Sequence, residues 1–380
     1  MLEESDGGRR IACNVSTWRK LNVTQPGHRP TTITTSTISR RDFVQAATAT
    51  GAALALSACA AVTATLPLPT ITPTPADNAT RARVALVRTD DRSDGLRRLL
   101  ALSGVPDVAG KHVVVKPNFN SADPAPGSTH PDVLRGTVQV LQAAGATRIT
   151  VADRSGMGNT RQVMAQLGID AMAEELGFDV VVLDELGVDD WEIVDVPGSH
   201  WSRGFPFPRL VSGADAVVQL CCLKTHRFGG HFTLSLKNTV GLVAKYVPGD
   251  GYNYMNELHG SEHQRTMIAE TNAAYAPALV IMDGVEAFTS GGPDRGELVD
   301  AQVMLAGSDR VALDAVGVAL LRHFGTTPQV ASGPVFAQEQ IARAAELGLG
   351  IAAAEQIDLV SDAPDADELL AAVRTILSAG

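Results

Sequence analysis

The chain has 380 residues, 45% of them hydrophobic, and a formal net charge of −11. That supplies a sizeable core for one large domain or two smaller ones, and an acidic chain with no basic block argues against a nucleic-acid partner. Its four cysteines include no CxxC pair, so a disulfide framework, an iron–sulfur cluster and a thiolate zinc site are not expected.

The amino-terminal region reads as an export leader over 1–58. Ser39-Arg40-Arg41-Asp42-Phe43-Val44 fits a twin-arginine pattern. The Ala/Thr-rich stretch 46–58 follows, too short for the roughly 20 apolar residues that span a bilayer. Leu56-Ser57-Ala58-Cys59 then matches a lipobox, making Cys59 the expected lipidation site. Residues 1–35 are polar and fit no part of such a leader, which reads as an overlong start or an appended extension. Residues 59–82 are rich in Pro, Thr and Ala, a composition that favours an extended tether. The expected address is therefore the cell envelope: export by the twin-arginine route, then residence on the outer face of the cytoplasmic membrane or in the periplasm. Contact with the membrane is expected only through the lipid anchor. A folded domain is expected over 83–380.

Within that domain, apolar runs of strand length alternate with helix-period segments. The runs are 83–88 (RVALVR), 112–116 (HVVVK), 148–153 (RITVAD), 179–184 (DVVVLD), 215–222 (DAVVQLCC), 278–283 (ALVIMD), 301–306 (AQVMLA) and 357–360 (IDLV). Helices are predicted over 94–102, 131–144, 159–176, 262–275, 309–324, 335–348 and 365–378. The pattern predicts an α/β fold with a mostly parallel sheet and flanking helices. The stretch 226–261 fits neither period and reads as a long irregular insert, the kind of segment that often carries function.

Several strands end in polar residues: Lys116-Pro117-Asn118, Asp153-Arg154-Ser155, Lys224-Thr225-His226 and Asp283-Gly284. The carboxyl ends of parallel strands share one edge, and ligands bind there. Lys116, Lys224 and Lys237, with Asn118, Asn238 and Ser155 as neutral partners, suit a phosphate or carboxylate, because clustered lysines repel unless an anion lies between them. The bland alternative is a solvated rim of lysines paired with nearby Asp. His226 titrates in the range that suits proton transfer, with Asp153 and Asp283 as companion catalytic groups. His226, Asp283 and Glu286 are the candidate ligands for an assisting divalent metal. His259 and His263, four apart, would share a helix face. His130, ahead of a helix, is either a ligand contact or a loop residue. Cys221 and Cys222 read as buried thiols. No GxSxG elbow is present.

Lys116-Pro117-Asn118, His130-Pro131, the Asp153 turn, Lys224-Thr225-His226, Leu236-Lys237-Asn238 with Gly241, and Ser308-Asp309 with Asp314 stand in the order seen in a known family. Over about 83–325 the chain resembles the family named Domain of Unknown Function 362. The resemblance implies an α/β protein. The ferredoxin-type cysteines that some members append are missing here, and the family's compact Glu-Gly-x-Gly-Pro segment is stretched over Asp283–Pro293. A remoter likeness, of ingredients only, links the Lys and His set to lactate-racemase-type proteins with a nickel cofactor. The expected function is an envelope enzyme acting on an anionic small molecule. The alternatives are a lipoprotein that binds a ligand or cofactor without turnover and, more blandly, a scaffold.

Overall fold

The computed structural model describes residues 81–379. The leader over 1–58, Cys59 and the linker up to residue 80 lie outside the described residues. Twelve strands form among them: β1 (Ala82–Arg88), β2 (His112–Lys116), β3 (Arg148–Asp153), β4 (Asp179–Val182), β5 (Trp191–Val194), β6 (Phe205–Pro208), β7 (Ala216–His226), β8 (His231–Thr233), β9 (Leu279–Gly291), β10 (Gly296–Val299), β11 (Val303–Gly307) and β12 (Ile357–Val360). The helices are α1 (Arg92–Ser103), α2 (Pro131–Ala143), α3 (Thr160–Gln166), α4 (Ile169–Leu176), α5 (Arg209–Ser212), α6 (Ser235–Asn238), α7 (Tyr254–Gly260), α8 (Gln264–Glu270), α9 (Arg310–His323), α10 (Pro328–Ala331), α11 (Glu339–Glu346) and α12 (Asp367–Ser378).

The main sheet runs β12-β1-β11-β9-β7-β2-β3-β4, with β10 added to β9 and β8 to β7. Along that path every pairing is parallel except the two made by β11, which is antiparallel to both β1 and β9. The mostly parallel α/β expectation holds. Alternate residues of each strand serve opposite faces. Ile281 packs in a cluster with Leu99 of α1, Leu134 of α2 and Val163 of α3, while Val280 and Met282 pack with α9 and α12. With both faces covered, the strands read as continuous Val/Ile/Leu runs. Each fully buried Leu or Val there contributes about 1.5–3 kcal/mol.

Helix punctuation follows local chemistry. His130 caps α2, its Nδ1 accepting the Asp132 N–H, and Pro131 occupies the first turn. The helix expected over 159–176 is two helices, because Gly168 adopts φ 73° between them. The helix expected over 262–275 is α8 followed by a 3₁₀ turn over Thr271–Ala274.

The stretch 226–261 is less irregular than its sequence suggested. β7 continues to His226, reverses, and returns as β8 in the register His226↔His231; α6 and α7 follow. These pieces are too short to display a period. This segment folds over the carboxyl ends of β2, β3 and β7 and closes one side of a cavity.

Candidate functional site

A cavity of about 790 Å³ lies at the carboxyl ends of β2 and β3. Lys116, Asn118, Asp153, Ser155 and His226, from the strand ends, line it, as do Lys237 and Asn238; Lys224 and Asp283 do not. The structure also sorts these groups, because several are already bonded to one another.

Lys116 Nζ lies 2.7 Å from Asp153 Oδ1 and also donates to the Pro117 carbonyl (2.6 Å) and Asn238 Oδ1 (3.1 Å). Asp153 in turn accepts the backbone N–H groups of Phe119 and Arg154, both at 2.7 Å. Burial pushes Lys116 down and Asp153 up; their mutual contact, and for Asp153 the backbone donors, act the other way. Gly241 packs on this pair: a Cβ there would stand 2.6 Å from Asp153 Oδ1 and 2.8 Å from Lys116 Nζ. That close approach gives the glycine of the Lys237–Gly241 motif its physical meaning.

Lys224 is wholly buried and does not line the cavity. Its ammonium donates to Asn118 Oδ1 (2.7 Å), the Gly127 carbonyl (2.6 Å) and the Pro293 carbonyl (3.1 Å). It ties two points of the β2–α2 loop to the β9–β10 turn, and burial lowers it to about 8. Asn118 and Asn238, expected as neutral partners of a ligand, instead accept from lysines through Oδ1. Ser155 is likewise engaged, its hydroxyl donating to the Phe119 carbonyl at 2.7 Å.

Lys237 differs from both. It follows Ser235 and Leu236, whose backbone N–H groups donate to Asp314 of α9 at 2.8 and 3.0 Å, so α9 fixes the turn that carries it. Asp309 caps the same helix by accepting the Ala312 N–H. The Lys237 ammonium has no hydrogen bond or ion pair among the described residues. Burial, together with the charges of Arg154, Lys224 and Lys116, lowers it to about 7.

Two imidazoles flank it. His226 is buried, and its Nδ1 finds no partner among the described residues. Burial and the charge of Lys237 hold it well below its ordinary range, so the ring is neutral at pH 7. His259, on α7, bonds the Met255 carbonyl through Nδ1 at 2.7 Å, which leaves Nε2 as the unprotonated nitrogen of a neutral ring. Burial and Lys237 lower it as well. His263 does not share this face: it precedes α8 and stacks on His200 with ring centroids 4.2 Å apart.

Asp283 and Glu286 are not brought to the cavity. Both pair with Arg92 of α1, at 2.7 and 3.0 Å. The expected set of His226, Asp283 and Glu286 is therefore not assembled, because the guanidinium of α1 takes both carboxylates. Among the described residues no group of three or more His, Cys, Asp or Glu could hold a metal ion. The cavity offers two neutral imidazoles, amines and committed carboxylates, which do not fit a divalent ion held by protein ligands alone. Cys221 and Cys222 are buried free thiols, with Cys222 pushed up to about 11.

Three cavity groups escaped the sequence reading. Arg154 is buried, bonding the Val243, Ser155 and Val240 carbonyls and Met255 Sδ but no carboxylate. Its position beside Asp153 at a strand end was the available signal. Asn120 Nδ2 and Thr233 Oγ1 are buried, line the cavity and lack partners. Nothing in their sequence context distinguished them from ordinary loop and strand residues. In total four cationic side chains (Lys116, Arg154, Lys237, Lys245) face two carboxylates (Asp153, Asp184).

A family model described as Domain of unknown function (DUF362) matches residues 113–319. The chain belongs to this family. The matched span holds Lys116, Asp153, Lys224, Lys237, His259 and Asp314, so the whole cavity framework falls inside the DUF362 region. Thylakoid-associated protein sll1697 of Synechocystis sp. (strain ATCC 27184 / PCC 6803 / Kazusa) is 31% identical over 252 residues, covering 61% of this chain and 72% of that protein. Among solved structures, the lactate racemase apoprotein from Thermoanaerobacterium thermosaccharolyticum aligns with a TM-score of 0.36 and 18% identity, over 62% of this chain and 56% of that one.

Proposed function

We propose that this DUF362 protein is an enzyme that binds and transforms a small anionic molecule in the cavity at the carboxyl ends of β2 and β3. The observation that carries this reading is Lys237: a cation without a counter-ion, set in a cavity where basic groups outnumber acidic ones. A buried unpaired charge is costly, and an anionic ligand supplies the missing partner. The orphaned polar atoms of Asn120, His226 and Thr233 add hydrogen-bonding positions that a ligand would fill. Neutral His226 and His259 supply proton acceptors beside it. A divalent metal, if one takes part, would arrive with the ligand, since the described side chains do not by themselves form its cage.

The test is calorimetric titration of a panel of phosphates and carboxylates into the parent and into Lys237→Met. The parent should bind at least one member, and the variant should lose about tenfold or more in affinity, about 1.4 kcal/mol. Equal binding by both proteins, or by neither, overturns the assignment. A second reading, a carrier without turnover, draws on the engagement of the cavity carboxylates, with Asp153 on Lys116 and Asp184 on Thr160. Recovery of a bound ligand unchanged after prolonged incubation would favour the carrier.

We also propose that the chain is exported through the twin-arginine route and anchored by lipid at Cys59. Substituting Arg40 and Arg41 by Lys should leave the protein in the cytoplasm, and Cys59→Ala should release it from the membrane fraction. An unchanged distribution in both variants removes this address.

A further inference from the structure

We infer that Lys237 is an imine-forming lysine, and that the ligand class of the cavity is an oxo acid with an apolar tail. This deepens the proposed function and rests on it. Lys237 projects its amine into the cavity with no competing acceptor to hold it. Gly230 leaves open the gap that this side chain shares with His226: a Cβ there would stand 2.9 Å from His226 Nδ1 and 3.4 Å from Lys237 Cε. The Lys237 side chain thus shares this gap with a neutral ring nitrogen that has no hydrogen-bond partner among the described residues. Near neutrality much of the amine is uncharged, the form that attacks carbonyl carbon. The charge of Arg154, which bonds no carboxylate, also acts on the amine and favours a substrate that carries a carboxylate. Phe228 and Met157 line the same cavity while remaining substantially exposed, which suits an apolar tail directed outward.

The step balances without a co-reactant. The Lys237 Nζ lone pair attacks the carbonyl carbon, and one N–H proton moves to the carbonyl oxygen, with His226 Nδ1 as the relay. The carbinolamine then loses that oxygen as water, together with the second N–H proton, and a C=N bond replaces the C=O bond.

The test uses the full chain with phenylpyruvate and with phenyllactate, which has the same skeleton and charge but no carbonyl. Borohydride added to the phenylpyruvate sample should fix an adduct weighing the acid less one oxygen atom, and peptide mapping should locate it on Lys237. Trapping should increase as pH rises through about 7, as the amine loses its proton. The other charges acting on it are Arg154, Lys224 and Lys116; Asp153, Asp184, Lys245 and the neutral His226 and His259 line the same cavity. Lys237→Arg keeps a cation, so it should still bind phenyllactate while the adduct is lost. Binding of both acids without an adduct, or an adduct on another lysine, overturns the inference and leaves the anion site standing. Failure of both acids to bind overturns the inference, while the broader anion panel still judges the site.

Discussion

Lys224 and Lys237 lie thirteen positions apart in the chain and occupy opposite situations. Lys224 has three oxygen acceptors and no exposure. Lys237 has none among the described residues, and opens into a cavity large enough for a drug-sized molecule. Lys116 belongs with Lys224, since Asp153 and two further oxygens use all three of its donors. Two of the three lysines at this edge thus build the frame, and the third is left for something outside the chain. The comparison teaches that proximity of like charges is not by itself a binding site; what matters is which charge remains uncompensated after the fold has satisfied the others.

Removing a framework lysine should cost stability, and the largest loss is expected at Lys116. Lys116→Met strands Asp153 in the interior and should destabilise by about 3–5 kcal/mol in urea unfolding. Adding Asp153→Asn should recover part of that loss; a strictly additive double variant would deny the pair its coupling. Lys224→Met leaves three oxygens without their donor and should cost about 3 kcal/mol. If it instead unfolds like the parent, the contrast with Lys237 collapses. Gly241→Ala forces a methyl against the Lys116–Asp153 pair and should cost about 1–3 kcal/mol, again read by urea unfolding.

Lys237→Met should act in the opposite direction, and in a pH-dependent way. The folded value of about 7 lies below the ordinary 10.5, so between those pH values the unfolded chain binds more protons. The parent should therefore gain stability from this group as pH rises from about 7 to 10.5. Below 7 the group is protonated in both states, its full penalty applies, and the variant should be the more stable of the two. That advantage should fade as pH climbs and vanish above 10.5; a difference independent of pH would show that Lys237 is not the strained cation described. Anion affinity should run the other way, falling as pH rises through about 7 and levelling off once the loss matches that of Lys237→Met.

Much of the architecture was legible. Each apolar run of 83–88 through 357–360 became a strand, because buried parallel strands need both faces apolar and so print continuous Val/Ile/Leu runs. The direction of β11 was not legible, since a fully apolar run looks the same in either sense. The β5–β6 pair was missed because Pro206 and Pro208 in β6 mimic a turn; in a separate two-stranded sheet they are tolerated on an edge.

For the site, local sequence determined that charged residues follow apolar runs, and hence that Lys116, Asp153 and Lys224 would stand along one edge. It could not apportion them. Asn118 reaches Lys224 across 106 positions and Asn238 reaches Lys116 across 122. Arg92 draws Asp283 and Glu286 into its own ion pairs across more than 190. Strand ends are written in neighbouring residues, whereas the partner of a buried charge is chosen by packing between distant ones. That is why composition and period announced the edge, and only the assembled sheet and helices decided that Lys237 would remain without a counter-ion.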